Sequence, residues 1–380
     1  MGKNLPLKAN NIPELLRAAL ELRVDLTVVG PEGPLADGVV DLFQEKGLRV
    51  FGPGGKAARL ESSKAFAKDV MEKFGIPCAR GRIFDSFQVA SDYVKNTSRW
   101  PIAIKADGLA AGKGVVIAGS EGEALLALKN IIVDRAFGSA GDRVVIEEGL
   151  TGKEVSLIAF TDGEHIVPMP PACDYKRIYD GDKGPNTGGM GSYSPPPFFG
   201  DDLVRWSLER VLKPVVRGMA QMGEPYRGVL YAGLMLTAEG PKVLEFNARF
   251  GDPETQVILP RLKTDLVDIM LAVIDGNLDR IRIEWSDSTC VGVVLASEGY
   301  PGEYATGFPI SGLENIDADI AVFHAGTKLN KSAIVTDGGR VLTVSAIGDN
   351  LAEARKKAYL NVSRINFRGC YCRKDIALFR

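Results

Sequence analysis

The sequence predicts a multidomain protein in which an α/β region is followed by α+β regions. Its 380 residues are enough for two or three domains. Strand and helix patterns alternate over residues 1–62, which indicates a layer built on a parallel sheet. Towards the end of the chain, residues 281–380 alternate short strands with one late helix, from about Asn350 to Val362. That pattern is typical of a separate small α+β domain.

The first region, residues 1–62, carries one amphipathic helix and two short strands. Asn11 and Pro13 are start signals for the helix, whose apolar residues recur at helical spacing. Residues 24–29 form a continuous apolar strand, and residues 49–51 form a further short one. Because the alternation begins at a helix, with no strand or glycine-rich turn before it, we expect a remnant of a parallel, Rossmann-like α/β domain.

The central region, residues 63–280, changes character. A serine-capped helix is predicted over residues 64–74, and a loop of small residues joins strands at 102–105 and 115–118. Residues 174–200 are polar, rich in glycine and proline, and show little periodicity. A loop of that length inside a compact domain is usually functional or disordered.

Composition narrows the possible functions. The formal net charge is −2 and both signs are interspersed, so the sequence lacks the basic surface expected of a nucleic-acid-binding protein. No apolar run is long enough to span a bilayer, and we expect a cytoplasmic protein. Only two histidines are present, which argues against a His-based zinc site or a Ser–His–Asp triad. The chemistry is therefore expected to depend on Lys, Arg and carboxylates.

The glycine-rich loop after Lys105 is a candidate anion site. Gly112, Lys113 and Gly114 let backbone N–H groups approach an anion, and the two lysines supply positive charge. The loop is not a Walker A motif, since no Ser or Thr follows the lysine and a strand comes next. A flexible hairpin with a solvated lysine remains the alternative.

A strand with three polar residues is the more specific signal. Alternation places Leu244 and Phe246 on one face and Glu245, Asn247 and, if the strand continues, Arg249 on the other. A carboxylate and a carboxamide oxygen suit Mg²⁺ beside a polyphosphate, and the arginine can neutralise a transferring phosphoryl group. A solvated edge strand is the alternative, but the rigid polar turn that follows favours a site.

Two further groups of polar residues are weaker candidates. The segment from Asp174, Lys176 and Arg177 to the glycine run around 188–191 predicts a mobile segment that closes over an anionic substrate, with a disordered surface loop as the alternative. Three acidic residues near a strand end could bind an adenine amino group or ribose hydroxyls, although solvated acidic residues are equally common there. They are Glu147, Glu148 and Glu154.

Four stretches together resemble one enzyme family. Residues 28–35, 104–115, 184–191 and 245–256 are similar to the phosphoribosylamine–glycine ligase family, in the same order and at similar spacing. The second and fourth stretches are typical of ATP-grasp ligases in general, and their combination with the third is specific to this family. The resemblance covers essentially the whole chain.

This resemblance implies an ATP-grasp fold with three parts. Residues 1–62 would be the remnant of the N-terminal substrate domain, residues 63–280 the ATP-grasp domain with a mobile lid at about 80–148, and residues 281–380 the C-terminal domain. It also implies that ATP phosphorylates glycine and that the amine of 5-phosphoribosylamine attacks the glycyl phosphate. The protein would be a monomer that uses Mg²⁺ or Mn²⁺ in de novo purine synthesis.

The resemblance also implies roles for individual residues. Those expected to bind ATP are Lys64, Lys105, Gly112, Lys113, Gly114, Glu147, Glu148 and Glu154. Those expected to bind substrate are Asp174, Lys176, Arg177, Gly188, Gly189 and Asp252. Glu245 and Asn247 would hold the metal, and Arg249 and Lys105 would be catalytic.

The sequence departs from the family pattern in two places. Family members open with a strand and a Gly-Ser-Gly-Gly-Arg-Glu-His type of loop that helps to bind the phosphate of phosphoribosylamine, and this chain has none, so we expect it to be truncated at its N-terminus. Tyr175 also stands where the family usually has a histidine. Another ATP-grasp carboxylate–amine ligase and a non-catalytic nucleotide-binding remnant therefore remain as alternatives.

Overall fold

The computed structural model describes residues 3–110 and 114–378. Its helices alternate with strands in the first half and become sparse in the second. The helices are α1 Ile12–Glu21, α2 Glu32–Ala36, α3 Val39–Glu45, α4 Arg59–Ser62, α5 Lys64–Lys73, α6 Phe87–Lys95, α7 Glu121–Leu128, α8 Asp201–Ser207, α9 Lys213–Gln221, α10 Thr255–Ile258, α11 Leu266–Asp275 and α12 Leu351–Val362.

Most strands belong to three antiparallel sheets, and the rest form two-stranded pairs. The strands are β1 Thr27–Val28, β2 Val50–Phe51, β3 Gly81–Phe84, β4 Ile102–Ala106, β5 Val115–Ala118, β6 Val144–Glu148, β7 Lys153–Thr161, β8 Ile166–Pro168, β9 Cys173–Asp174, β10 Arg177–Tyr179, β11 Lys183–Asn186, β12 Gly191–Ser194, β13 Gly228–Thr237, β14 Gly240–Asn247, β15 Thr289–Ser297, β16 Ala321–His324, β17 Thr327–Asn330, β18 Ala333–Thr336, β19 Arg340–Gly348 and β20 Cys370–Tyr371.

The N-terminal region has the predicted α/β pattern. Asn11 caps α1 by accepting a hydrogen bond from the N–H of Glu14. Strands β1 and β2 pair in parallel, as the alternation predicted, although β1 covers only two of the six residues expected at 24–29. Buried side chains of α2 and α3, including Leu35 and Phe43, join the largest core of the protein.

Residues 81–148 form a compact unit on one antiparallel sheet, which we call the lid. Its strand order is β3-β6-β4-β5, and helices α6 and α7 pack on it. Ile104, Leu128, Ile146 and their neighbours form an apolar core separate from the other clusters of the protein. The lid therefore has an apolar core of its own.

A second antiparallel sheet, the central sheet, has the order β14-β13-β7-β8. Strands β13 and β7 are almost entirely buried because apolar clusters cover both faces. Lys242 of β14 lies 3.8 Å from Glu148 of the lid, and Glu154 of β7 pairs with Lys176 in the segment that follows β8.

The third sheet joins the segment 173–194 to the C-terminal region. Its order is β16-β19-β15-β12-β9, and β20 also pairs with β15. The sequence pattern predicted a loop over 174–200, but β12 is completely buried and pairs with β15 from Gly191 to Ser194. Short polar residues such as Ser192 and Ser194 conceal this strand from periodicity, and their hydroxyls are satisfied by backbone carbonyls. Among the described residues, no helix is long and apolar enough to cross a membrane.

Candidate active site

Lys105 extends from the lid to the central sheet. Its ammonium lies 2.6 Å from Oε2 of Glu147 on the neighbouring strand β6 and donates to the carbonyl of Leu244 on β14 at 2.9 Å. Glu147 also pairs with Lys68 of α5, whose ammonium lies 3.1 Å from Oε1. Two lysines therefore share one buried carboxylate where the lid meets the central sheet.

Asp107 fixes the start of α5 against the lid. Its carboxylate accepts hydrogen bonds from the Ser63 hydroxyl and the Ala65 N–H, both at 2.8 Å, and from Arg143 at 2.6 Å. The N–H of Lys64 donates to the Asp107 carbonyl. Lys64 thus begins a helix directly beside the predicted phosphate loop. Of that loop, Gly114 is described, whereas Gly112 and Lys113 lie outside the described residues.

The polar strand β14 carries a bulge that changes its alternation. Gly233 of β13 pairs with Glu245, but the next residue of β13 pairs with Val243, so Leu244 is the extra residue. Val243 and Phe246 are buried, whereas Leu244 lines a small pocket beside Glu245. The prediction that Leu244 shares a face with Phe246 is therefore wrong, because the bulge shifts the alternation by one residue.

Glu245 and Asn247 fit a magnesium ion. Within residues 3–110 and 114–378, neither side chain has a hydrogen bond or ion pair, so their oxygen atoms are available to a ligand. The described residues contain no cluster of three acidic, His or Cys side chains that could hold a metal. Two oxygen donors are nevertheless sufficient, because Mg²⁺ commonly binds one or two protein side chains together with water and substrate phosphates.

Arg249 connects this strand to the N-terminal region. Its guanidinium lies 3.1 Å from Glu32 of α2 and 3.1 Å from Glu61 of α4. Glu61 also accepts the N–H of Ala248 at 2.6 Å. Burial raises the pKa of Glu61 to about 6, although Arg249 opposes this rise.

A small pocket beside Glu245 holds charges of both signs. Its polar lining residues are Glu154, Ser156, Asp174, Lys176, Tyr231 and Glu245. Lys176 lies 2.5 Å from Glu154 and 3.7 Å from Asp174. Burial raises the pKa of Asp174 to about 7, and Lys176 only partly offsets this. Burial acts to lower the pKa of Lys176, but the surrounding carboxylates outweigh it and the pKa lies well above its ordinary value.

Beneath the pocket, Glu254 forms a buried hydrogen-bonded group. Its Oε1 accepts from Tyr231 at 2.6 Å and from Ser156 at 2.9 Å, and the two hydroxyls are 2.7 Å apart. These bonds fix the floor of the pocket, since all three side chains are almost completely enclosed. Neither Tyr231 nor Ser156 was predicted from the sequence, because each lies in an otherwise apolar strand.

The C-terminal region holds the glycine run in place. Arg340 donates to the carbonyl of Gly188 at 2.7 Å and forms a two-point ion pair with Asp252. Gly189 has φ of +108°, and a Cβ there would lie 2.3 Å from Cδ of Pro253. The predicted substrate residues Gly188, Gly189 and Asp252 are thus brought together by an arginine that no local sequence signal identified.

The two remaining predicted residues, Arg177 and Glu148, have partners outside the pocket. Arg177 begins β10 and donates to the carbonyl of Gly184, which closes the β10–β11 hairpin. Glu148 accepts the N–H of Arg80 at 3.0 Å and lies 3.8 Å from Lys242. The second carboxylate of the Glu147–Glu148 pair therefore faces away from Lys105.

Comparison with known proteins gives the family. Models of the phosphoribosylglycinamide synthetase N domain, ATP-grasp (A) domain and C domain match residues 1–61, 62–255 and 290–378. The chain is 51% identical over 371 residues to the phosphoribosylamine–glycine ligase of Caldanaerobacter subterraneus, covering 98% of this chain and 88% of that protein. The chain belongs to the phosphoribosylglycinamide synthetase family. It is also 50% identical over 378 residues to the Escherichia coli K12 ligase, with the same two coverages.

Solved structures agree with this assignment. The phosphoribosylamine–glycine ligase of Thermotoga maritima superposes with a TM-score of 0.86 at 35% identity, covering 99% of this chain and 90% of that one. The biotin carboxylase domain of Hydrogenobacter thermophilus 2-oxoglutarate carboxylase, solved with MgADP, superposes with a TM-score of 0.74 at 18% identity, covering 98% and 81%. This second likeness shows the fold alone. The predicted ATP-grasp fold is confirmed.

The N-terminal region of this phosphoribosylglycinamide synthetase family member is matched as a domain of the family. The N-domain match covers residues 1–61, and the expected truncation is not shown by the comparisons. The arginine and glutamates at the boundary, Arg249, Glu32 and Glu61, join this domain to the ATP-grasp domain. The N domain therefore contributes the two carboxylates that pair with Arg249.

Proposed function

We propose that this chain joins glycine to 5-phosphoribosylamine with hydrolysis of ATP, giving glycinamide ribonucleotide, ADP and phosphate in de novo purine synthesis. The similarity to phosphoribosylamine–glycine ligases over nearly the whole chain supports this reaction. The observation that carries the proposal is the pocket in which Asp174 and Lys176 lie beside Glu245. An ammonium and a carboxylate next to a candidate metal ligand match a small zwitterionic amino acid that is to be phosphorylated.

ATP would bind between the lid and the central sheet. Lys105 is the proposed phosphate contact because its ammonium is largely buried and bridges the two sheets, from Glu147 of the lid to the carbonyl of Leu244. The other groups proposed to hold the nucleotide are Lys64, Gly112, Lys113, Gly114, Glu148 and Glu154, and the sequence predicted Glu147 with them. Because Glu147 is held between two lysines, we assign it to positioning Lys105 and assign direct nucleoside contacts to Glu148 and Glu154.

Glu245 and Asn247 would hold Mg²⁺ or Mn²⁺. Such an ion, when bound, neutralises charge on the transferring phosphoryl group. Arg249 lies just beyond the end of the same strand, and Glu32 and Glu61 keep its guanidinium fixed and charged. A fixed cation placed where charge develops stabilises the transition state without reorganisation, so Arg249 is the proposed catalytic arginine.

Glycine would lie in the pocket with its ammonium on Asp174 and its carboxylate near Lys176 and the metal. Phosphoribosylamine would approach from the side of the N domain, over Arg249. The glycine run and its neighbours, Arg177, Gly188, Gly189 and Asp252, would enclose it. The enzyme's contribution is then positioning and electrostatics, which can account for a large part of a rate enhancement in phosphoryl transfer.

Phosphate release from Mg-ATP by the purified chain tests this proposal. Glycine and phosphoribosylamine, the latter generated in situ, are supplied separately and together. We expect release only with both substrates, and we expect R249M to lose about a hundredfold or more of the rate, as when a transition-state donor is removed. R282M, which changes an exposed arginine, is the matched control.

Other outcomes would favour the alternatives. Release that requires glycine but accepts a different amine would indicate another ATP-grasp carboxylate–amine ligase, and a screen of amines would identify it. ATP binding without turnover under any substrate combination would leave a non-catalytic nucleotide-binding protein. A chain that does not bind Mg-ATP would contradict the proposed reaction altogether.

A further inference from the structure

Lys68 is a buried charged residue to which the proposed reaction gives no role. Only 2% of its side chain is exposed, and it lies on α5 outside the pocket and outside the predicted phosphate loop. Burying a lysine is costly unless its charge is compensated. Glu147 provides that compensation at 3.1 Å, and it outweighs burial so that the pKa of Lys68 lies above its ordinary value.

Glu147 is shared by two lysines, one of which, Lys68, also lies 3.7 Å from the exposed carboxylate of Glu72. Oε1 of Glu147 faces Lys68 and its Oε2 faces Lys105, so two ammonium groups flank one carboxylate. If Lys105 turns towards a phosphate, its ion pair with Glu147 weakens. A carboxylate with 6% exposure would then be nearly uncompensated, unless a second cation stays in place.

We propose that Lys68 is a positioning residue that keeps Glu147 compensated, so that Lys105 can leave this carboxylate for a phosphate of ATP. This inference rests on the proposed function, since it requires Lys105 to contact the nucleotide. Lys68 itself does not touch the substrate. Its effect passes through Glu147 to Lys105.

Lys68 also stands where the chain enters and leaves the lid. Its ammonium donates to the carbonyl of Ala79 and lies 3.5 Å from Sγ of Cys78, just before β3. Glu147 is in β6, the last strand of the lid. One ammonium therefore holds both connections of the lid to α5, which keeps Glu147 fixed when the lid moves relative to the central sheet.

The surroundings of Glu147 allow it little room to adjust. Gly81 pairs with Glu147 across β3 and β6, and a Cβ at Gly81 would lie 2.6 Å from Cγ of Glu147. The side chain of Glu147 is therefore packed closely against the backbone of β3, and only 6% of it is exposed. It must find its partners among Lys68 and Lys105.

Equilibrium binding of Mg-ATP to four variants tests this inference. K68M removes the second cation, E147Q removes the shared carboxylate, K68M/E147Q removes both, and K73M changes an exposed lysine on the same helix. We expect K68M to weaken ATP binding about tenfold or more, since Lys105 must either stay on Glu147 or leave it unpaired. We expect K68M/E147Q to bind within about threefold of E147Q, and K73M to match the unchanged chain.

The double variant separates this role from a structural one. If Lys68 has a purely structural role, K68M will have a lower melting temperature but an unchanged affinity for ATP, or the effects of K68M and E147Q on ATP affinity will add in the double variant. Either result overturns the inference. If K68M does not fold, the double variant K68M/E147Q provides the test. It has no carboxylate at position 147 to leave unpaired, so the inference requires it to fold and to bind ATP. Failure of the unchanged chain to bind Mg-ATP would instead contradict the proposed function.

Discussion

At the scale of single residues, the site depends on carboxylates whose protonation the surroundings control. Asp174 is almost completely enclosed, and burial raises its pKa to about 7 despite Lys176 at 3.7 Å. The nearby carboxylates of Glu154 and Glu254 add to the rise. The charge of this side chain therefore changes within the range in which cellular enzymes work.

Asp174 is expected to give glycine binding a pH dependence. If the ionised carboxylate binds the glycine ammonium, its ionised fraction falls as pH drops through about 7, so KM for glycine should rise towards low pH. The rise should approach about tenfold per pH unit well below that pKa. Steady-state kinetics from pH 5.5 to 8.5 measure it.

D174N is the diagnostic variant for this dependence. It should raise KM for glycine at all pH values and remove the inflection, while KM for ATP changes little. D279N, which changes an acidic residue in the turn beyond α11, is the matched control. An inflection near neutral pH that survives in D174N would assign the titration to another group.

At the scale of elements, the turn at Gly189 packs directly on the turn at Pro253. The positive φ of Gly189 is a conformation that other residues rarely adopt, and a Cβ would overlap Cδ of Pro253. Arg340 of β19 then clamps both turns through Gly188 and Asp252. A strand from the C domain thereby holds together two segments of the proposed substrate site.

G189A should separate the two turns. The added methyl group must displace Pro253 or the glycine run, and a shift of about 1 Å at a positioning element can cost about a hundredfold in rate. We expect kcat/KM to fall by about that factor for glycine and phosphoribosylamine, with the affinity for ATP retained. G200A, where a Cβ meets no atom within 4 Å, is the control. Full activity in G189A would show that this contact does not set the site.

Sequence patterns predicted the elements that depend on local signals. The Asn11 and Ser63 caps and the polar face of Glu245 and Asn247 follow from local signals, and the parallel pairing of β1 with β2 follows from the alternation of strands with helices; each lies where expected. The ATP-grasp fold followed from the motifs. The assigned roles of the site residues stay predictions.

Contacts between distant segments could not be predicted in this way. Lys68 belongs to an amphipathic helix, and the sequence alone does not distinguish a buried lysine on such a helix from a solvent-exposed one. Arg340 lies 88 residues from Asp252 along the chain, so no local pattern connects them. The buried strand β12 reads as a loop because glycine and serine give no apolar alternation. The bulge at Leu244 can be identified only when the pairing of β14 with its partner strand β13 is known.

At the scale of the whole molecule, the C-terminal segment holds the segment that carries Lys176. Arg373 is fully buried, donates to the carbonyl of Arg177, and pairs with Asp182 at 2.8 Å and Asp375 at 2.7 Å. Its guanidinium stacks on the ring of Tyr175, 4.7 Å from the centroid. Tyr175, which departs from the usual histidine of the family, thus contacts the C domain.

R373M should lower the free energy of unfolding and weaken the attachment of the segment that carries Lys176 to the C-terminal region. Removing one partner of a buried ion pair typically costs about 3 to 5 kcal/mol. We expect the free energy of unfolding to fall by an amount near the lower end of that range, because Asp182 is 70% exposed and can be solvated. Urea unfolding measures it, with exposed R282M as the control. A loss below about 1 kcal/mol would contradict the proposed anchoring.

The third sheet also has a consequence for the order in which the protein can fold during synthesis. Strands β9 and β12 emerge from the ribosome with the central region, but the partner that covers the other edge of β12 is β15, which is made much later. The lid and the nucleotide side of the site are complete before then. Asp174 in β9 therefore belongs to a sheet that is completed only after the C domain has been translated, so a nascent chain would finish the lid before it finishes the sheet that carries Asp174.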